Sequence, residues 1–234
     1  MDPDADLASV AALMADRNRA QMLITLLGGT PQSGSALAEA AGISRSLASA
    51  HLKKLVAGGL VLAQASGRQQ LYSIAAEPVA DALETLILLA PAAQVRSLTE
   101  ATRARSLRFA RMCYDHLAGT VSVAMTEALI ARGLVREEDG GYRLAARGMA
   151  EFGGLGIDVD RLERGTRPLL RPCLDWTERR YHLGGSLGAA LTSALAERRW
   201  FTRREASRIV TVTPAGQAGL LEWLDIDLAG IRAA

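Results

Sequence analysis

The stretch from residue 35 to residue 73 constrains this chain most, because turn signals divide it into short segments with helical and strand patterns. Leu37, Ala38 and Ala41 give a first helix one apolar face. Gly42-Ile43 forms a tight turn, and Ser44 can cap a second helix by accepting a hydrogen bond from a free backbone N–H. The sequence therefore predicts two helices joined by a short turn.

The second helix has two chemically different faces. Ala48, Leu52 and Leu55 lie on one side at helical spacing and form an apolar flank. The other side carries small, polar and basic residues, namely Arg45, Ser46, Ser49, Ala50 and Lys53. Such a helix can pack through one flank and offer the other to a charged partner.

A two-stranded wing follows the second helix. Gly58-Gly59 ends the helix, since glycine tolerates the left-handed conformation that a helix end needs. Residues 60–62 begin a strand, Gly67 turns the hairpin, and residues 70–74 form the returning strand. This order predicts a winged helix-turn-helix whose recognition helix would lie in a DNA major groove.

The side chains on the polar face suit contacts with double-stranded DNA. Arg45 suits a guanine edge or a phosphate, while Ser46 and Ser49 suit phosphates or either type of base. Arg68 at the wing tip can reach the backbone or an A·T-rich minor groove. The candidate DNA-binding residues are Ser44, Arg45, Ser46, Ser49, Lys53, Arg68 and Gln69. The alternative is a winged helix that serves only protein contacts and has lost DNA binding.

Three segments of the N-terminal part carry a family resemblance. They are Asp16-Arg17 with Ala20 through Leu27, then GISRSLASAHLKKLVAGGLV, and then the wing GRQQLYSI. Over about residues 5–90 the chain resembles the ArsR type of bacterial transcriptional repressor, with a characteristic step at Ser49, His51 and Leu52. The resemblance implies a homodimer that binds an operator and releases it, or changes its grip, when a signal arrives.

The resemblance also implies where the dimer forms and where metals bind in this type. The first and last helices of the module build the dimer, and the helix from Pro78 to Ala90 is apolar nearly all round, as burial between subunits requires. The cysteine-containing metal site would fall in ALAEAAG, which has no cysteine. The other familiar site would fall on the last helix, which offers Asp81 and Glu84 but no histidine. His51 is interpreted as a packing or phosphate contact rather than as a metal ligand.

The composition and the N-terminus argue against a membrane protein and against a secreted protein. The chain has 234 residues, 49% of them hydrophobic, with a net charge of +2. It contains no apolar run of the roughly 20 residues that a membrane span needs. It begins with the acidic MDPDAD rather than a basic signal peptide, and two cysteines do not make a disulfide framework. We therefore expect a cytoplasmic protein with no membrane partner.

Three regions follow from the chain order. Residues 1–90 form the winged helix-turn-helix and dimerisation domain, residues 91–119 a long connecting helix, and residues 120–234 a C-terminal sensor domain. The helix is expected from Ala92 to Gly119. Its arginines are interpreted as a solvated face; they are Arg96, Arg103, Arg105, Arg108 and Arg111. The predicted fold class is mainly α with small β wings (α+β).

The C-terminal half contains a faint internal repeat. DHLAGTVSVAMTEALIARGLV resembles YHLGGSLGAALTSALAERRWF, so that His116 matches His182 and Gly119 matches Gly185. Each copy is followed by a strand-like hairpin, one turning at Gly140-Gly141 and the other near Ala206-Ser207. This pattern predicts a compact α+β domain with winged-helix-like repeats, although neither copy has a clear helix-turn-helix before it.

The two copies of the repeat, together with nearby cysteines, supply the residues of a candidate effector site. Cys113 and His116 are three residues apart on the predicted long helix, and Cys173 precedes His182 by nine residues. If the repeats pack as a pseudo-symmetric pair, the four side chains converge. Two thiolates and two imidazoles would suit zinc, copper(I), an arsenical or haem iron. The cysteines could instead form a thiol–disulfide switch or serve only in packing.

An organic effector and an enzymatic activity are the alternatives to a metal or redox site. An organic effector could bind near the aromatic and basic residues Trp176, Tyr114, Tyr181 and Arg179-Arg180. Enzymatic activity finds no support, since the chain has no glycine-rich phosphate loop, no Gly-x-Ser-x-Gly and no His-Glu-x-x-His. The sequence thus predicts a DNA-binding transcriptional regulator, most simply a repressor, that responds to an effector through its C-terminal domain.

Overall fold

The computed structural model describes residues 5–91, 94–204 and 206–233, and the chain divides into two compact units. The first unit contains residues up to 89, and the second contains residues 90–204 and 208 onward. No helix in the described ranges is both long enough and apolar enough to cross a bilayer.

The first unit is a winged helix-turn-helix, as its sequence predicts. Its elements are α1 (Leu7–Met14), α2 (Arg17–Leu26), β1 (Gln32–Ser33), α3 (Gly34–Ala41), α4 (Arg45–Ala57), β2 (Val61–Ser66), β3 (Gln69–Ile74) and α5 (Glu77–Leu89). The strands form an antiparallel sheet in the order β1-β3-β2. The recognition helix α4 therefore stands between α3 and the wing.

Local signals place the ends of α3 and α4. The Ser33 hydroxyl accepts a hydrogen bond from the backbone N–H of Ala36 at 3.2 Å and caps α3. Gly42 ends α3 with a left-handed φ of 67°. Ser44 caps α4 by accepting a bond from the backbone N–H of Leu47 at 3.3 Å. These caps satisfy backbone donors that a helix start leaves without partners, so α4 begins at a defined residue.

The second unit is built from two similar halves. It comprises α6 (Leu98–Phe109), β4 (Arg111–Cys113), β5 (His116–Ala118), α7 (Thr120–Ala131), β6 (Val135–Glu138), β7 (Gly141–Leu144), α8 (Ala146–Gly154), α9 (Val159–Glu163), β8 (Arg171–Leu174), β9 (Tyr181–Gly184), α10 (Gly185–Glu197), β10 (Phe201–Arg203), β11 (Val210–Val212), α11 (Pro214–Leu224) and α12 (Leu228–Ala233). The strands pair as antiparallel hairpins, β4-β5, β6-β7, β8-β9 and β10-β11. Each half therefore reads hairpin, helix, hairpin, helix.

The predicted long connecting helix is wrong at both ends, because residues 94–97 are not helical and α6 begins only at Leu98. The helix α6 ends at Phe109, and a hairpin occupies the residues up to Ala118; residues 92 and 93 lie outside the described ranges. All three residues of β4 are buried, and Tyr114 turns the hairpin with a φ of 60°. Arg111 is fully buried, although the arginine pattern predicted a solvated face. Burial on both sides of this segment favours a paired strand over an exposed helix.

The two halves of the second unit contact each other reciprocally. The backbone N–H of Leu117 donates to the Thr192 hydroxyl at 2.9 Å, and the backbone N–H of Leu183 donates to the Thr126 hydroxyl at 2.9 Å. Each threonine lies on the helix of one half and binds the hairpin of the other. The repeat seen in the sequence is therefore a pseudo-symmetric pair in the structure.

Glycines at equivalent positions allow each hairpin to enter its helix. Gly119 has φ 90° and ψ −175°, a conformation that is essentially restricted to glycine. Gly185 has a φ of 84°. A Cβ on Gly119 would lie 2.5 Å from the carbonyl oxygen of Arg108, and one on Gly185 would lie 2.7 Å from that of Leu169. Both positions therefore require glycine for conformation and for space.

A single apolar cluster fills the second unit. Its members come from both halves, with Phe152, Leu187, Leu195 and Leu220 completely buried. Burying side chains of this size stabilises a fold by about 1.5–3 kcal/mol each. The two halves share one core, so neither is expected to be stable without the other.

We expect Gly119→Ala to lower the free energy of unfolding of the second unit by at least about 2 kcal/mol. Strained backbone costs about 1–3 kcal/mol, and overpacking adds about 1–3 kcal/mol. The measurement is urea unfolding followed by tryptophan fluorescence, because Trp176, Trp200 and Trp223 all lie in this unit.

The control for this change is Gly140→Ala. Gly140 has a φ of 74°, but a Cβ there would meet no heavy atom within 4 Å. Gly140→Ala should therefore lower the free energy of unfolding by only about 1–2 kcal/mol, which is the cost of the left-handed backbone conformation for alanine. Equal losses at the two positions would contradict the steric role of Gly119.

Candidate functional sites: an exposed helix face and a buried Cys/His cluster

The polar face of α4 is exposed, and its apolar flank is buried. Ala48, Leu52 and Leu55 are each at most 1% exposed. All the candidate DNA-binding residues are exposed; they are Ser44, Arg45, Ser46, Ser49, Lys53, Arg68 and Gln69. The flank anchors the helix in the unit, and the polar side chains remain available to a ligand.

The charged residues of α4 and the wing all have the same sign. Between residues 40 and 76 the sequence contains Arg45, Lys53, Lys54 and Arg68 and no acidic residue. The net charge of the whole chain is only +2, whereas these four basic residues give the helix and wing a local charge of +4. Such a local excess attracts the phosphate backbone of nucleic acids.

His51 lies on the packed side of α4 rather than on its exposed face. It is 8% exposed, and its Nδ1 lies 3.5 Å from Nη1 of Arg19 and 3.8 Å from Oδ1 of Asp16. These neighbours tie α4 to the start of α2. The geometry favours the packing role predicted for His51 over a phosphate contact.

The structure brings Cys113, His116, Cys173 and His182 together inside the second unit. Cys113 stands directly opposite His116 across hairpin β4-β5, and Cys173 stands directly opposite His182 across β8-β9. The two sulfur atoms are 3.8 Å apart, and the two Nε2 atoms are 3.2 Å apart. One ligand atom from each side chain lies within 4.8 Å of all the others.

The four side chains converge as expected, but the local structure that places each cysteine beside its histidine differs from the predicted one. Cys113 and His116 do not share a helix face, because they are cross-strand neighbours of a hairpin. Cys173 and His182 are likewise cross-strand neighbours, on strands β8 and β9. In both hairpins the turn, rather than helical periodicity, sets the Cys–His spacing.

The cluster is closed to solvent on most sides. The exposed fractions are 4% for Cys113, 2% for His116 and 0% for His182, and Cys173 is partly buried. Neither cysteine is in a disulfide. A ligand here would be surrounded by protein rather than bound at an open surface.

Two carboxylates flank the histidines. Oδ1 of Asp115 lies 3.1 Å from Nδ1 of His116, and its other oxygen accepts a bond from Arg167 at 2.7 Å. Oδ2 of Asp175 lies 3.5 Å from Nδ1 of His182, without hydrogen-bond geometry. Carboxylates at the outer nitrogens leave both Nε2 atoms facing the centre of the cluster.

The two histidines have opposite pKa shifts. Burial disfavours the charged form of His116, but the Cys113 sulfur and the Asp115 carboxylate outweigh it and raise the pKa of His116 to about 9. Burial, together with the charge on His116, lowers the pKa of His182 well below its usual value, against the attraction of Asp175. At neutral pH one imidazole is therefore charged and the other neutral when no ligand lies between them.

A buried ion pair supports the cluster from the side. Nη2 of Arg111 lies 2.9 Å from Oδ2 of Asp175, and both side chains are at most 1% exposed. The guanidinium also lies 4.6 Å from the ring centre of Trp176. Burial opposes ionisation of Asp175, but Arg111 and a hydrogen bond from Thr177 outweigh it and hold the pKa of this carboxyl far below its usual range.

The sequence analysis did not predict that Arg111 and Asp175 form a buried ion pair. It placed Arg111 on a solvated face. The available signal was the alternation of apolar and polar residues at Ala110, Arg111 and Met112, which has the period of a strand rather than that of a helix.

The residues proposed for an organic effector are more scattered. Tyr181 is 53% exposed, and Arg179 and Arg180 are exposed as well. Arg180 pairs with Glu127 on α7. Tyr114 and Trp176 are half-buried, and Trp176 lies against Arg111. The organic effector stays a prediction that the fold does not decide.

Comparison with known proteins identifies the family. Residues 14–62 match the family described as "Helix-turn-helix domain". YdfF, an uncharacterized HTH-type transcriptional regulator of Bacillus subtilis, is 34% identical over 228 residues, covering 97% of this chain and 100% of the relative. CmtR, an HTH-type transcriptional regulator of Mycobacterium tuberculosis, is 37% identical over 100 residues, covering 43% of this chain and 84% of the relative. The chain belongs to the ArsR-type transcriptional regulators.

One solved structure is similar to part of this ArsR-type regulator. It is the homodimeric winged helix-turn-helix DNA-binding domain of a possible ArsR-family regulator from Mycobacterium bovis. The identity is 33%, the match covers 38% of this chain and 89% of that chain, and the TM-score is 0.34. The family members matched are regulators rather than enzymes. The match to YdfF over 97% of the chain extends the relationship across the second unit as well.

We expect Asp175→Asn in this ArsR-type regulator to lower the free energy of unfolding of the second unit by about 3–5 kcal/mol. Removing one partner leaves Arg111 charged and buried. The matched control is Asp139→Asn in the exposed turn of β6-β7, where φ is 51° and asparagine fits. That change should stay within about 0.5 kcal/mol.

Urea unfolding followed by tryptophan fluorescence measures both variants. Similar stabilities for Asp175→Asn and Asp139→Asn would show that the buried pair does not hold the hairpins in place.

Proposed function

We propose that this DNA-binding regulator is a homodimeric repressor of the cytoplasm whose C-terminal unit senses an effector. The observation that carries the DNA-binding role is the exposed, basic face of α4 mounted on a buried apolar flank. Binding of the effector would change the distance or angle between two recognition helices and so change operator affinity. Repression is the simplest outcome, since a protein that occupies an operator blocks its use.

The proposed contacts divide into base readout and backbone binding. Arg45 lies in the first turn of α4, the part of a recognition helix that reaches base edges. Ser46 and Ser49 are short, so they allow close approach of the helix to the duplex. Arg68 lies in the turn between β2 and β3, away from the helix. We assign Arg45 to a guanine edge and Arg68 to the phosphate backbone or the minor groove.

The proposed dimer rests on apolar surface that one subunit leaves exposed. Helix α1 has no buried residue, and its Leu7 is 75% exposed. On α5, Leu86 is 45% exposed and Leu89 is 75% exposed. The first and last helices of the module therefore each carry uncovered leucines, as a twofold interface between identical subunits requires.

We expect Arg45→Ala to weaken binding to the operator by about 10- to 100-fold while changing non-operator binding little, since one bidentate base contact is worth about 1–3 kcal/mol. Arg68→Ala should weaken operator and non-operator binding together and reduce the salt slope by about 1. The operator is first selected from random duplexes with the wild-type protein, and affinity is then measured by fluorescence anisotropy at several salt concentrations.

The matched control is Arg132→Ala, at an exposed position of the second unit. It should leave both affinities unchanged. Equal operator binding by wild type and Arg45→Ala would refute the base contact. Absence of any salt-dependent DNA binding would favour the alternative of a protein-interaction module.

We expect Leu86→Glu combined with Leu89→Glu to convert the dimer to monomers, because the four introduced carboxylates would be buried in the interface without counter-charges. Analytical ultracentrifugation measures the mass, and anisotropy should show a loss of operator affinity. Leu221→Glu, at a residue of α11 that is 50% exposed, is the control and should remain dimeric. A monomeric wild type, or a dimeric double variant, would overturn the proposed interface.

A further inference from the structure

The separations in the Cys/His cluster match the edges of a metal-centred tetrahedron. Zinc binds cysteine sulfur at about 2.3 Å and histidine nitrogen at about 2.0–2.1 Å. The edge of a regular tetrahedron is about 1.63 times these lengths, which gives about 3.8 Å between sulfurs and about 3.3 Å between nitrogens. The observed distances are 3.8 Å for Cys113 to Cys173 and 3.2 Å for His116 to His182.

The remaining edges join sulfur to nitrogen, and none of them is longer than 4.8 Å. A mixed tetrahedral edge is about 3.6 Å, whereas the four ligand atoms lie within 4.8 Å of one another. Small side-chain rotations that draw the atoms together by up to about 1 Å would close the coordination shell. The hairpins already hold the two sulfur atoms, and likewise the two nitrogen atoms, at the separation that a bound ion requires.

We infer that Cys113, His116, Cys173 and His182 form a closed, four-coordinate site for a divalent ion of the zinc type, Zn²⁺ or Cd²⁺. Each hairpin supplies one thiolate and one imidazole, so the ion would join the two halves of the second unit. All four positions are taken by protein and three of the ligands are buried, which is the form of a structural or sensing site rather than a catalytic one.

Charge favours a divalent ion at this position. Two thiolates and two neutral imidazoles around M²⁺ give a complex with no net charge. The two ion pairs that flank the histidines, Arg111 with Asp175 and Arg167 with Asp115, each carry no net charge. A neutral complex therefore avoids the penalty for burying an unpaired charge. The thiol protons and the second ring proton of the charged His116 pass to solvent as the ion binds.

The carboxylates beside the histidines complete the site. A metal-bound histidine usually donates its other ring N–H to a carboxylate, which orients the ring and strengthens the ligand. Asp115 is placed for this at His116, and Asp175 lies near the corresponding nitrogen of His182. The site differs from the two positions that the ArsR resemblance implies, because its ligands all lie beyond the winged helix-turn-helix.

The experiment uses the full-length protein, freed of metal with a chelator and kept reduced without added thiols. Co²⁺ serves as a spectroscopic stand-in, followed by displacement with Zn²⁺ and with Cd²⁺. We expect one ion per chain, tetrahedral d–d bands, a thiolate-to-cobalt charge-transfer band, and an increase in the Tm of the second unit with Zn²⁺. Octahedral cobalt spectra, or no binding at micromolar concentrations, would overturn the site.

Three variants separate the ligand role from a packing role. Cys113→Ser and Cys173→Ser should each keep the Tm of the metal-free wild type. Each should show a weaker charge-transfer band, because one thiolate remains, and should lose the Zn²⁺-dependent increase in Tm. Asp115→Asn should keep tetrahedral cobalt and weaken Zn²⁺ binding by about 10- to 100-fold. His51→Gln, outside the cluster, is the control and should bind like the wild type. Unchanged binding in both cysteine variants would overturn the assignment.

The use of the ion as a signal rests on the proposed function, and it is tested separately. Operator affinity is measured for the metal-free protein and for the Zn²⁺- and Cd²⁺-loaded protein. A change of at least tenfold that is absent in Cys113→Ser would make the ion the effector. Tight metal binding with no change in operator affinity would support the site and overturn its sensing role. Operator binding without metal binding would leave the DNA-binding proposal intact and overturn this one.

Discussion

The Asp175 carboxylate holds the second unit together at the point where its two halves meet. It is completely buried, lies 2.9 Å from Arg111 on β4, and accepts a hydrogen bond of 2.7 Å from the backbone N–H of Gly119. Both contacts run from hairpin β8-β9 to the first half. A buried carboxylate without such partners would cost several kcal/mol, so the hairpins are tied to one relative position.

The same pairing of halves explains why four chemically matched side chains meet. Thr126 and Thr192 exchange equivalent hydrogen bonds with the opposite hairpins, which sets the approximate twofold relation. Residues at equivalent positions then face each other, and His116 meets His182. A repeat that places a histidine near the axis therefore produces a pair of histidines, and the neighbouring cysteines complete the cluster.

The two units have different chemistry and suit different tasks. The first concentrates positive charge on an exposed helix and wing, as binding to a polyanion requires. The second buries its most reactive side chains and surrounds them with paired charges. An ArsR-type regulator that carries such a second unit can therefore hold a ligand set that its winged helix-turn-helix lacks, since ALAEAAG has no cysteine and the last helix of the module has no histidine.

The sequence by itself determined the first unit, because its signals are local. Ser44 caps α4, Gly42 ends α3, and apolar spacing marks the buried flank, so helix, turn, helix and wing follow from neighbouring residues. It also revealed the repeat. Only the tertiary structure decided that Arg111 and Cys113 lie in a buried strand rather than on an exposed helix. The strand that β4 pairs with is close in sequence, but Arg111 and Cys113 contact Asp175 and Cys173, which lie far along the chain. These contacts with a distant segment outweigh the local helical pattern.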